Sequence, residues 1–213
     1  MTRPATSFDL FGTLVEVADP GDPAEAIAAE LAERGSPVPD DWEQQYRTPQ
    51  VETEHGAELP LPEHVGAVLD TADGSPPDRE LIQTAVLAAF DRPVRTRPGA
   101  VDAVATMADR GPVGLLSNCS VPGLVDRTLR RSELDPDQFE AVVTSVGCGW
   151  RKPDRRAFEA VASRLSVPIR YITHVGDNPE TDGGAVEAGA KIILVDDVPL
   201  TELPARVKPD GGE

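Results

Sequence analysis

Between Arg97 and Val195, short apolar runs alternate with segments of helical periodicity, and this alternation restricts the possible folds more than any other feature. Residues 113–116, 141–144, 171–175 and 191–195 read as short buried strands. Residues 100–110, 121–131, 154–165 and 180–188 carry helical spacing between and beside them. Strands joined through helices of about ten residues need crossover connections, which means a parallel sheet. Residues 5–10, with Phe8, Leu10 and Phe11 around a single carboxylate, Asp9, add a fifth strand ending in a Gly-Thr turn.

The stretch separating that first strand from the rest has another character. Asp22-Pro23-Ala24-Glu25 supplies an N-cap, a proline at the first helical position and an early acidic residue. Ala24, Ile27, Ala28 and Leu31 follow at helical spacing, and Gly35 supplies a stop. Further helices are expected over 41–47, 62–69 and 78–90, the last with Leu81, Ile82, Ala85, Val86 and Ala89 as its apolar face. Residues 48–61, rich in Glu and Pro, carry no clear signal, and no strand is expected from about 17 to 94. The expected fold is α/β: a Rossmann-like parallel sheet of about five strands flanked by helices, with an inserted all-helical segment. Residues 1–16 and 95–213 would form the sheet-bearing core, and 17–94 the helical insertion. From Pro199 onward the tail is expected to be irregular and frayed.

Charge narrows the partners. Lys and Arg total 20 against 37 Asp and Glu, a net charge of −17, and only three of the basic residues are lysines, at 152, 191 and 208. Nucleic acid and anionic membrane would both be repelled, so neither is an expected partner. Acidity with scarce lysine also suggests a halophilic protein whose self-repulsion is screened by salt. The two cysteines, Cys119 and Cys148, make neither a disulfide framework nor a zinc spacing. No run approaches the roughly 18 apolar residues of a membrane span. With Met1-Thr2-Arg3-Pro4 leading directly into the first strand, a cytoplasmic protein is expected, monomeric or homodimeric, acting on a small molecule.

An open parallel sheet binds ligands beyond the carboxyl ends of its strands. Four strand ends here carry polar residues: Asp9, Ser117-Asn118, Lys152 within Gly149-Trp150-Arg151-Lys152-Pro153, and Gly176-Asp177 with Asp182 shortly after. That set suits a carboxylate attacking an electrophile while cations neutralise charge. Each also has a plainer reading. Asp9 could cap a strand end, Ser117-Asn118 could cap a helix, and Lys152 could be a solvated loop cation. Asp182 could complement a helix N-terminus. Cys119 has no His nearby in sequence to activate it, His174 reads as a core residue, and His55 and His64 carry no signal.

Taken together and in order, these islands resemble the haloacid dehalogenase superfamily. Asp9-Leu10-Phe11-Gly12-Thr13 is similar to its first motif, Ser117 to its second, Lys152 in Arg-Lys-Pro-Asp to its third, and Gly176-Asp177 with Asp182 to its acidic fourth. The resemblance covers 5–18 and 97–197, and by position the insertion resembles the family's helical cap. It implies a hydrolase in which Asp9 is the nucleophile, Ser117 bonds a phosphoryl oxygen and Lys152 neutralises that group and the nearby carboxylates. Thr13 and Asn118 would help to bind substrate. Mg would be held by Asp9, Asp177 and the backbone carbonyl of Phe11, with Asp182 an outer-shell acid or structural partner. Family phosphatases usually carry a second Asp at the Phe11 position, as general acid and base. The aromatic residue resembles the metal-free 2-haloacid dehalogenase branch, whereas Asp177 resembles the metal-dependent phosphatases. The resemblance therefore implies a Mg-dependent phosphatase of a small phosphorylated metabolite first, a 2-haloacid dehalogenase second, and a non-catalytic binding module third.

Overall fold

A computed structural model describes residues 3–19, 21–70 and 77–207. The strands are β1 (Ala5–Phe8), β2 (Val15–Val17), β3 (Val94–Thr96), β4 (Val113–Ser117), β5 (Ala141–Thr144), β6 (Ile172–Gly176) and β7 (Lys191–Leu194). The α-helices are α1 (Pro23–Glu33), α2 (Trp42–Tyr46), α3 (Leu61–Asp70), α4 (Arg79–Phe90), α5 (Ala100–Arg110), α6 (Leu124–Arg131), α7 (Ser145–Cys148), α8 (Arg155–Arg164), α9 (Gly184–Ala188) and α10 (Leu203–Arg206). Five strands form one parallel sheet in the order β5-β4-β1-β6-β7. The connections leave β1 toward β4 and β5, then return to β6 on its other side. The switch point therefore lies between β1 and β6, where a crevice opens at the carboxyl ends.

Alternate residues of the sheet feed two apolar layers, as the period of two requires. Phe8, Val113, Leu115 and Val175 pack on the α5 side, in a cluster continuous with Ile27, Leu31, Val65 and Val86 of the insertion. Ala5, Leu116, Ala141 and Ile172 face the other way, onto Phe158 and Val161 of α8 and Ala185 of α9. Burial on both faces explains why these strands read as near-continuous apolar runs.

The insertion folds as sequence spacing predicts over α1 to α4. The side chain of Asp22 accepts from Ala24 N at 2.8 Å with Pro23 at the first helical position, and Trp42 Nε1 donates to the Ala24 carbonyl at 2.9 Å. Its borders differ from expectation. β2 and β3 pair antiparallel, Val17 opposite Val94, so the two chain crossings into the insertion form one ribbon. Three-residue strands show too little alternation to be seen in sequence.

Residues 54–61, unassigned from sequence, run as a strap from the insertion back to the core. Glu58 N donates to Gly149 O at 2.9 Å, Arg151 N to Gly56 O at 2.9 Å and Leu61 N to Ser120 O at 2.8 Å. The Glu58 side chain is 2% exposed and accepts from Ser145 Oγ.

Three further expectations are corrected. The helix predicted from 180 begins at Gly184, because 179–183 turn tightly to present Asp182. The helix predicted from 121 begins at Leu124, with Gly123 at its N-cap in the left-handed region. The tail is not frayed as far as 207, since Leu200 and Leu203 are buried against the core and α10 packs on α5. Residues 208–213 lie outside the described residues. No helix among the described residues is long and apolar enough to cross a membrane.

Candidate active site

Four loops at the carboxyl ends of the sheet converge on Lys152. Its ammonium is 2% exposed and lies 2.9 Å from Asp9 Oδ1 and 2.5 Å from Asp182 Oδ1. Asp9 follows β1 directly, anchored by its backbone N–H to Val175 O at 2.8 Å. Asn118, after β4, grips the Lys152 backbone twice: Nδ2 donates to Lys152 O at 2.9 Å, and Oδ1 accepts from Lys152 N at 2.8 Å. The amide thus positions the ammonium and also lines the neighbouring cavity. Ser117 is buried at the end of β4, and its hydroxyl makes no hydrogen bond to the described residues. That leaves a donor at the site for a ligand oxygen.

Asp182 is saturated. Oδ1 accepts from Lys152 Nζ and from His174 Nε2 at 3.0 Å, while Oδ2 accepts from Asp177 N at 3.1 Å and Asn178 N at 3.0 Å. Burial alone would raise its pKa, but the His174 bond and the Lys152 charge outweigh that and hold the carboxyl well below the usual range. Gly176 is required here because a β-carbon would collide with the Asp182 carboxylate. His174 is fully buried, and burial pushes its pKa down, so the ring is neutral. A neutral ring with Nε2–H donating to Asp182 leaves Nδ1 to accept from Ser7 Oγ, at 2.8 Å. The core histidine expected from sequence is therefore also the brace of Asp182.

Asp177 is held differently. Thr13, expected to bind substrate, is fully buried and its Oγ1 donates to Asp177 Oδ1 at 2.9 Å, so its hydroxyl positions that carboxylate. Gly12, at φ 84°, gives Asp177 the space, since a β-carbon there would overlap the carboxylate. Desolvation raises the pKa of Asp9 to about 6, against the lowering effect of Lys152. At neutral pH it is still largely ionised, the form in which a carboxylate can act as a nucleophile or a metal ligand.

Ligand oxygens of Asp9, Asp177 and Asp182 lie within 4.8 Å of one another. All four acceptor positions on Asp182 are used within the protein, so it is a poor metal ligand despite its proximity. Asp9 and Asp177 remain. In the β1 turn, Leu10 O and Val15 O accept backbone N–H groups, whereas Phe11 O accepts none of the turn's hydrogen bonds. Two carboxylates and a spare carbonyl are hard oxygen donors of the kind Mg takes, in a number that leaves room for water and substrate. The residues therefore fit the ion.

Sequence reading missed two contributors. Glu58 accepts from Ser145 Oγ, which accepts from Cys119 N at 2.8 Å beside Asn118; it lay in the stretch without periodic signal. Arg92 lines a cavity of about 300 Å³ next to Phe11 and Asn118, and nothing in its sequence neighbours marks it. Cys119 is buried, and burial pushes its thiol up to about 11, consistent with an unreactive thiol.

No curated protein matches the chain. Among solved structures, a 2-haloacid dehalogenase from Pseudomonas syringae pv. Tomato DC3000 superposes with a TM-score of 0.65 at 23% identity, covering 95% of this chain and 97% of that one. CbbY from Rhodobacter sphaeroides, in complex with phosphate, gives 0.59 at 19% identity, covering 90% and 85%. Magnesium-bound YfnB from Bacillus subtilis gives 0.57 at 18%, covering 94% and 92%. At such identities these likenesses establish the fold. The family model for haloacid dehalogenase-like hydrolases matches residues 5–189, nearly the whole described chain, and the protein belongs to that family of hydrolases.

Proposed function

We propose that the protein is a Mg-dependent phosphatase of a small phosphorylated metabolite, working through an aspartyl-phosphate on Asp9. The observation that carries this reading is the charge of the site. Asp9, Asp177 and Asp182 face one ammonium, and His174 is neutral. Two negative charges are left uncompensated at a place that must accept an anionic substrate, and a divalent cation removes that repulsion. When bound, the ion would be held by Asp9, Asp177 and the Phe11 carbonyl, and it would supply charge neutralisation at the phosphoryl oxygens. In this reading a carboxylate oxygen of Asp9 attacks phosphorus, and the bond to the leaving oxygen breaks with its electron pair. Lys152 and Ser117 hold the phosphoryl oxygens as charge develops. Water then attacks phosphorus and loses a proton to solvent, and the P–O bond to Asp9 breaks with its electron pair returning to the carboxylate, releasing phosphate. The insertion, strapped over these loops, serves as a substrate-selecting cap.

Phe11 favours a second reading. It lines the apolar cavity beside Asn118, and an aromatic wall suits the carbon skeleton of a 2-haloacid. Metal separates the two. Chelation with EDTA and the Asp177→Ala substitution are each expected to abolish phosphatase activity, with Mg restoring only the chelated wild type. Activity on any substrate that survives exhaustive chelation transfers the assignment to dehalogenation.

Phe11 also sets an expected limit on the phosphatase. It cannot protonate a poor leaving alkoxide or activate water, help worth on the order of a hundred- to ten-thousand-fold. Aryl and acyl phosphates should therefore be hydrolysed much faster than alkyl phosphates, and Phe11→Asp should narrow that gap in protein confirmed to be folded. Equal wild-type rates on alkyl and aryl esters would mean that another group supplies the proton.

A further inference from the structure

The cavity of about 300 Å³ lies where insertion and core meet. Val17 and Ala18 of the ribbon side, Phe90 and Arg92 of the chain returning from α4, and Phe11 with 118–121 and Leu124 of the core close around it. Its walls are mainly apolar, and its volume is at the small end for ligand pockets. One charged group breaks the pattern. Arg92 is half-buried, its Nε donates to Ala89 O at 3.1 Å, and its guanidinium makes no ion pair among the described residues. Arg92 is the one charged residue among the described residues that line this cavity. A planar guanidinium with two free Nη groups offers a fork that matches a carboxylate or phosphate. The cavity is lined by Phe11, two residues after Asp9, and by Asn118, whose amide holds the Lys152 backbone, so it neighbours the candidate active site.

We propose that this cavity receives the organic part of the substrate, and that Arg92 selects substrates whose apolar part ends in a second anion, a carboxylate. The proposal rests on the phosphatase reading for the reacting end, but the cavity can be tested without chemistry. The occupant is a small phosphate ester or acyl phosphate carrying a carboxylate a few carbons away. Phe11 then acts as the wall against which the apolar part packs, which gives that position a role in place of an acid.

The test pairs phenyl phosphate with 4-carboxyphenyl phosphate in the presence of Mg. Wild type should prefer the carboxylated ester in kcat/KM by about tenfold or more, the size expected of a hydrogen bond to a charged partner, and chiefly through KM. Arg92→Met should bring the ratio near one, and Arg92→Lys, which keeps the charge but not the fork, should fall between. An unchanged ratio in Arg92→Met, or a wild-type preference for the neutral ester, overturns the proposal. Binding measured by calorimetry without Mg gives a second readout: benzoate should bind wild type more tightly than benzyl alcohol does, and Arg92→Met should lose the difference. If neither ester is hydrolysed yet benzoate binds through Arg92, the phosphatase reading fails and the anion subsite stands. If phenylphosphonate binds through Arg92 and benzoate does not, the carboxylate assignment is overturned.

Discussion

Asp9→Asn should stop turnover while leaving the fold in place, with a loss of roughly a thousandfold or more in kcat. The amide is nearly isosteric with the carboxylate but cannot form the covalent intermediate. Its environment should tolerate the change, because Lys152 keeps its shorter contact with Asp182, at 2.5 Å, when the 2.9 Å contact with Asp9 weakens. Thermal unfolding should therefore show no loss of stability. Desolvation already works against the Asp9 charge, raising its pKa to about 6, and the neutral amide avoids that cost. Rapid-quench detection of a phosphorylated protein in wild type but not in the variant would tie the loss to the nucleophile. Residual activity above a few per cent would exclude Asp9 from that role.

Lys152→Met should produce the largest loss of stability of any single change at the site. The ammonium is the shared partner of two buried carboxylates, and its removal leaves both facing each other without a cation. Breaking a buried pair from one side costs about 3–5 kcal/mol. For a chain of this size that corresponds to a fall in Tm of roughly 6–20 °C. Adding Asp182→Asn to Lys152→Met should cost less than the sum of the two single changes, because both remove the same interaction. A melting temperature within a degree or two of wild type would show that the ion pairs do not hold the Lys152 loop. Activity should be lost as well, and the comparison with Asp9→Asn separates the two contributions, since only the lysine variant is expected to lose stability.

The sheet was legible because its central strands are buried on both faces, as β4 shows with every residue buried. Asp9, Ser117, Lys152 and Asp177 were legible because a parallel sheet brings its strand ends together and the four islands occur in order. Their division of labour was not. That Thr13 serves Asp177, that Asn118 serves the Lys152 backbone, and that His174 braces Asp182 all depend on partners 8 to 164 residues distant. Asp182 showed only its proximity to Asp177 in sequence; the tight turn that masqueraded as the start of α9 presents its carboxylate to Lys152, His174, Asp177 N and Asn178 N. Glu58 and Arg92 were invisible for a simpler reason. Neither sits on a periodic element, and the surroundings of each form only where the insertion meets the core.

The strap of residues 54–61 has a mechanical consequence. The β2–β3 ribbon gathers both chain crossings at one edge, while the strap fastens the insertion at Gly149, Arg151 and Ser145. Lifting the insertion about the ribbon must break those bonds, and the residues they release are the immediate neighbours of Lys152 and, through Ser145 and Cys119, of Asn118. Lifting the insertion at this strap would therefore also disturb the loops that carry Lys152 and Asn118.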